Sequence, residues 1–197
     1  IISVTSEMSE SADLKIGGID LSHASPAFGS GDAEITIIEF GDYQCPNCKK
    51  WFLNTKPDIV TDYIETGKAN LYFVDLPFLG DDSLPASAAT YCADEQGRYW
   101  DYHSYLYSNQ REIDGGWADH SSLRDYAEIL KLDGDLFAEC MESGRHDDAV
   151  LQNLELGIVN GIKGTPSFIV TGPNGEELIG GPQPYAVFQS TIASVQK

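Results

Sequence analysis

Cys45 and Cys48 are the residues best placed by type and spacing to do chemistry. Such a pair can be a redox dithiol, half of a zinc site, or two buried thiols. A structural zinc site calls for a second Cys or Cys/His pair with short internal spacing. Cys92 and Cys140 are isolated, and His23, His103, His120 and His146 are scattered. No metal is expected, and no cofactor. The redox reading needs the pair just after a strand, at the start of a helix. Unpaired backbone N–H groups and the positive end of the helix dipole favour a thiolate there, and the thiolate is the attacking species. Pro46 suits a first helical turn, where its missing N–H costs nothing. Cys45 is then the expected nucleophile. Cys48, one turn on and deeper, is the expected resolving thiol.

Two further features bear on this pair. Glu39 lies upstream inside an apolar stretch. Buried there, its carboxyl would be desolvated and its pKa raised, fitting it to exchange protons with Cys48. The plainer alternative is a strand-end Glu whose head reaches water. Far downstream, Gly164-Thr165-Pro166-Ser167-Phe168 precedes an apolar run. Proline is tolerated at a strand start. A cis bond would turn the backbone so that Thr165 could pair with an extended peptide. The residues alone fit an ordinary trans turn better.

The elements that must hold these residues are legible from patterning. Glu34–Phe40 is β-branched and nearly continuously apolar, as a strand buried on both faces is. Lys49–Thr66 has apolar residues at helical spacing, with Pro57 expected to kink or split the helix and Gly67 to stop it. Ala69–Leu76 reads as a second buried strand, giving a right-handed parallel crossover. Helical patterns then run from Asp82 to about Asn160. Two strands follow, Ser167–Val170 and Glu177–Ile179, joined by a turn at Pro173-Asn174-Gly175. A helix over Tyr185–Val195 closes the chain. The order is β-α-β, helices, β-β-α: an α/β domain over residues 33–197, split by a helical insertion at about 82–145. Residues 1–32 read as a leader, flexible over Ile1–Leu14, with a short extended piece near Ile16–Leu21.

Twelve Lys+Arg against 31 Asp+Glu give a formal charge of −19. Such a surface argues against nucleic acid, whose phosphates need Lys and Arg, and against anionic membranes. Solubility, or adaptation to salt, is the plain reading. Trp51, Phe52, Trp100, Tyr102 and His103 fall at helical positions and are expected to pack.

With these residues in place, the sequence resembles the thioredoxin superfamily, and within it the DsbA-like oxidoreductases. The stretches that carry the likeness are Ile37-Ile-Glu-Phe-Gly-Asp-Tyr-Gln-Cys-Pro-Asn-Cys48, Ala93-Asp-Glu-Gln-Gly-Arg-Tyr-Trp-Asp-Tyr-His103 and Gly161-Ile-Lys-Gly-Thr-Pro-Ser-Phe168. The resemblance implies a thioredoxin-like fold and a protein thiol–disulfide oxidoreductase working outside the cytoplasm. It implies reduced or unfolded client proteins and a quinone-linked membrane redox partner, DsbB-like or VKOR-like. Cys45 and Cys48 match the redox pair, Glu39 the buried acid, Pro166 the cis-proline, and Thr165 the substrate-contacting residue before it. By the same resemblance Pro46 and Asn47 are expected to face the substrate. Some relatives carry a second, structural disulfide in the insertion. Cys92–Cys140 is the expected counterpart, worth roughly 4 kcal/mol by the chain-entropy argument if formed, with two free thiols as the alternative. Asn47 departs from the Pro-His dipeptide of the best-known DsbA proteins, so a less oxidising centre is expected. Isomerase-type relatives share Thr165 but add a dimerisation domain, and a monomer is expected here. Direction stays open between oxidase and reductase or isomerase, as does a non-catalytic peptide-binding module. A membrane tether ahead of Ile1 also stays open.

Overall fold

A computed structural model describes residues 14–196. A five-stranded mixed sheet runs through its centre. Strands β4 (Ile35–Gly41) and β5 (Ala69–Asp75) pair in parallel, with Ile37 opposite Leu71. Every residue of both is buried, which the continuous apolar runs require. Strand β6 (Ser167–Gly172) pairs antiparallel with β4, and β7 (Gly175–Gly180) pairs antiparallel with β6 through a tight turn. The sheet order is β3 (Phe28–Gly29)-β5-β4-β6-β7.

The outermost strand, β3 (Phe28–Gly29), pairs antiparallel with β5 and lies ahead of the expected boundary at residue 33. Ser25 locks the same segment to β5: its amide donates to the Phe73 carbonyl at 2.9 Å, and its hydroxyl accepts from the Phe73 amide at 2.8 Å. Ile19 and Leu21 are buried against Phe40, Tyr72 and Val74. Residues 15–32 are therefore part of the packed body and not a leader. Pairing this short is carried by backbone groups in a Gly-, Ser- and Pro-rich stretch, so no periodic side-chain signal announces it. The extended piece near Ile16–Leu21 is a two-residue hairpin, β1 (Lys15–Ile16) with β2 (Ile19–Asp20). The leader expected over Ile1–Leu14 lies, apart from Leu14, outside the described residues.

Between β4 and β5 the chain forms α1 (Pro46–Asn54), α2 (Lys56–Ile59) and a π-helical turn over Val60–Ile64. The split falls at Thr55, with Pro57 in the first turn of α2, where a helix accepts it. Trp51 of α1 packs on Phe168 and Phe188, with ring centroids 4.5 and 5.8 Å away. This fixes the helix against β6 and the last helix, α8 (Tyr185–Gln196).

Helices α3 (Ser83–Asp94), α4 (Tyr99–Asn109), α5 (His120–Ile129), α6 (Gly134–Ser143) and α7 (Asp147–Val159) fill the chain between β5 and β6. A disulfide, Cys92–Cys140, joins α3 to α6 with the Cα atoms 5.7 Å apart. The helical block's core, with Tyr102, Leu106, Tyr107 and Phe137, extends to Tyr43, Cys45, Cys48 and Phe73. The cysteine pair thus lies on the seam between the helical block and the sheet.

Candidate active site

Strand β4 delivers the chain to the site through a fastened turn. The Asp42 carboxylate accepts from the amides of Gln44, Phe78 and Leu79 and from the Ser83 hydroxyl, at 2.8 to 3.0 Å. It therefore ties the end of β4 to the loop entering α3. Gln110, following α4, donates from Nε2 to the carbonyls of Tyr43 and Cys45. Cys45 is the N-cap of α1, with extended backbone angles, and no side chain caps the helix. Its sulfur is left beside the unpaired amides of the first turn.

The Cys45 Sγ lies 3.3 Å from the Thr165 carbonyl oxygen. The Thr165–Pro166 peptide bond is cis. The Cys45 thiol is pulled down to about 6. A hydrogen bond from the Cys48 thiol is the largest cause, and it acts together with Thr165 and the Cys48 and Asn47 amides against the effect of burial. Cys48 is wholly buried, and desolvation first, then donation to Cys45, pushes its thiol well up. One thiol is set to ionise near neutrality and the other to keep its proton.

Glu39 is 1% exposed, and neither carboxyl oxygen has a hydrogen-bond partner among the described residues. Desolvation raises it to about 8, against the nearby Lys56 charge. Its head does not reach water, contrary to the plainer sequence alternative.

The structure brings Cys45, Cys48, Thr165 and Pro166 together, with Pro46 and Asn47 exposed on the first turn of α1 and Glu39 in the interior. The Cys92–Cys140 bridge belongs to the helical block's own scaffold.

Two further residues lie beside this site, one not singled out in the sequence and one expected to pack. Lys56 is 5% exposed, its amine lowered to about 8 by burial, with the Glu39 carboxylate opposing. His103, expected only to pack, is fully buried but uses both ring nitrogens. Its Nδ1 lies 2.9 Å from the Tyr43 hydroxyl and its Nε2 lies 3.1 Å from the Lys56 amine. A signal was present: Lys56 sits on the apolar stripe Phe52, Ile59, Tyr63, where a cation must be buried or snorkel. No comparable cue gave His103 its partners, since both lie far away in sequence.

A thioredoxin family model matches residues 22–193. The chain belongs to the thioredoxin family. This thioredoxin-family chain is 29% identical over 151 residues to "Probable disulfide bond formation protein D" of Bacillus anthracis, covering 74% of this chain and 69% of that one. It superposes on oxidised BdbD of Bacillus subtilis with a TM-score of 0.79 at 26% identity, over 89% of this chain and 94% of that one. The alpha-DsbA1 of Wolbachia pipientis, at 24% identity and a TM-score of 0.74, shares the fold over 86% and 89% of the two chains. The chain is a thiol–disulfide oxidoreductase. Among the described residues no helix is long and apolar enough to cross a membrane.

Proposed function

We propose that this chain oxidises dithiols of client proteins outside the cytoplasm through a Cys45–Cys48 disulfide. A client thiolate attacks Cys45 Sγ, forming a mixed disulfide and breaking the Cys45–Cys48 bond. Cys48 leaves with the electron pair and takes a proton from Glu39. A second client thiolate then attacks the client sulfur, releasing an oxidised client and the Cys45 thiolate. The observation that carries this reading is the placement of Cys45 at the start of α1, its Sγ 3.3 Å from the Thr165 carbonyl and Cys48 buried behind it, a setting that lowers the Cys45 pKa. A stable thiolate is a good leaving group and stabilises the reduced enzyme, which makes the disulfide an oxidant. Asn47 places no cation beside that thiolate, which fits a milder oxidant.

Client binding falls to the Thr165 backbone beside Cys45, with Pro166, Pro46 and Asn47 around it. A neighbouring cavity of about 220 Å³ is lined by Leu76, Phe78, Ile158 and Ile162 and ends at Gly164. It suits an apolar side chain of an unfolded client. A quinone-linked membrane partner re-oxidises the monomeric enzyme.

Cys45→Ser is expected to abolish thiol oxidation, and undiminished activity would end the catalytic reading. Titration of the couple against glutathione decides direction. A potential well above about −270 mV supports an oxidase, and one at or below it makes the same centre a reductase.

A further inference from the structure

We infer that His103 is a positioning residue for proton exchange at Cys48, acting by holding the Lys56 amine away from Glu39. The inference rests on the proposed role of Glu39 and extends it to a residue of the helical block.

The geometry is closed on every side. The imidazole is fully buried on α4. It packs edge-on against Phe73 and Trp100 at 4.9 Å and against Tyr107 at 5.1 Å, so it cannot turn aside. The Lys56 amine donates to Nε2, so Nδ1 carries the ring proton and donates to the Tyr43 hydroxyl. Burial first, and then the Lys56 charge, keeps the ring from protonating, so Nε2 remains an acceptor. The same amine lies over the rings of Trp100, Phe52 and Phe28 at 4.9, 5.1 and 5.5 Å. It is thus drawn to a ring cage and an imidazole. No ion pair within hydrogen-bonding range joins it to Glu39 among the described residues.

The consequence lies in the charge that Glu39 feels. The groups acting on it are Lys56, which lowers its pKa, and Cys45, which raises it. Cys48 and the Tyr107 phenol feel its charge in turn. His103 itself faces Lys56, Tyr43, Tyr99 and Tyr107. Of these groups only Lys56 is a cation close to Glu39. An amine released from Nε2 is free to pair with the Glu39 carboxyl, whose oxygens have no other partner among the described residues, and an ion pair there would hold the acid ionised. His103 therefore keeps Glu39 able to carry a proton near neutral pH.

The test is the pH profile of the resolving step. The protein is loaded at Cys45 with glutathione at low pH. Release of glutathione by Cys48 is then followed after pH jumps. In this step the Cys48 proton passes to ionised Glu39, the Cys45–Cys48 bond forms, and glutathione leaves as the thiolate. His103→Phe is expected to move the acidic limb down by about one pH unit, raising the rate below the midpoint roughly tenfold. His103→Gln, whose side-chain carbonyl can accept from Lys56, is expected to restore it. Lys56→Met is expected to move the limb upward. Should His103→Phe not fold, His103→Asn, too short to reach Lys56, takes its place with the same expectation. An unmoved limb in the variant lacking the acceptor overturns the inference. So does a downward shift in Lys56→Met, which would indicate general hydration of the core. Glu39→Gln separates the two readings. If it removes the limb while His103→Phe leaves it in place, only the His103 inference fails. If it leaves the limb intact, the Glu39 role fails and the inference with it.

Discussion

Asn47 stands exposed in the first turn of α1 and can offer its amide, but no charge, to the Cys45 sulfur. A cationic imidazole in its place would hold the thiolate further down. Asn47→His is expected to raise the reduction potential by about 30 mV for each pKa unit lost at Cys45. Glutathione titration, with the Cys45 ionisation followed by thiolate absorbance, measures both. A lower pKa without a higher potential would break the link between them. Glu39 carries a second prediction. Its carboxyl is raised from 4.5 to about 8 in the folded chain. Between those values the unfolded chain loses the proton while the folded one retains it, so stability falls as pH rises through that window. Glu39→Gln removes this term. The variant should match the wild type near pH 4 and exceed it increasingly toward pH 8, by at most about 1.4 kcal/mol per pH unit. Urea midpoints across that range check it, and a constant difference would refute it. The places of Cys45, Cys48 and Glu39 were legible because each is fixed locally, by one strand and one helix start. His103 was not, because its meaning depends on Lys56 and Tyr43, which only the tertiary fold brings to it.

Helices α3 and α6 show what the element scale adds. Both were legible from apolar spacing, and so were the strands β4 to β6, whose burial leaves continuous apolar runs. The edge strand β3 and the break of α1 at Thr55 were read less well. The first is held by backbone pairing. The second falls two residues ahead of the proline that causes it. The Cys92–Cys140 bridge spans a sequence separation of 48 within the helical block. By the chain-entropy argument, a loop of that size contributes about 4 kcal/mol. The double variant Cys92→Ala/Cys140→Ala is expected to lose stability on that order while keeping the Cys45–Cys48 couple, which lies on a different element. Urea denaturation of the two proteins, both with Cys45–Cys48 reduced, reads the difference. Equal midpoints would mean that α3 and α6 hold together without the bridge.

Charge acts on the molecule as a whole. With 31 acidic side chains and 12 Lys+Arg, most carboxylates have no cation to pair with. Among the described residues the ion pairs are Arg98–Asp101 and Arg145–Glu95, both near the surface, with His146 hydrogen-bonded to the same Glu95. Pairs of this kind contribute little singly. The dominant surface term is therefore mutual repulsion among carboxylates, which the compact state suffers more than the expanded one. Salt screens that repulsion over about 10 Å at 0.1 M. The melting temperature is accordingly expected to rise from low ionic strength to a few tenths molar sodium chloride, by roughly 2–4 °C for each kcal/mol of repulsion removed. The rise should level off once the screening length falls below the spacing of neighbouring carboxylates. It should be the same for sodium and potassium chloride, because screening depends on ionic strength and not on the cation. Differential scanning calorimetry over that series provides the measurement. A flat or falling melting temperature would show that the carboxylates are too far apart to interact, and the charge would then bear on solubility alone.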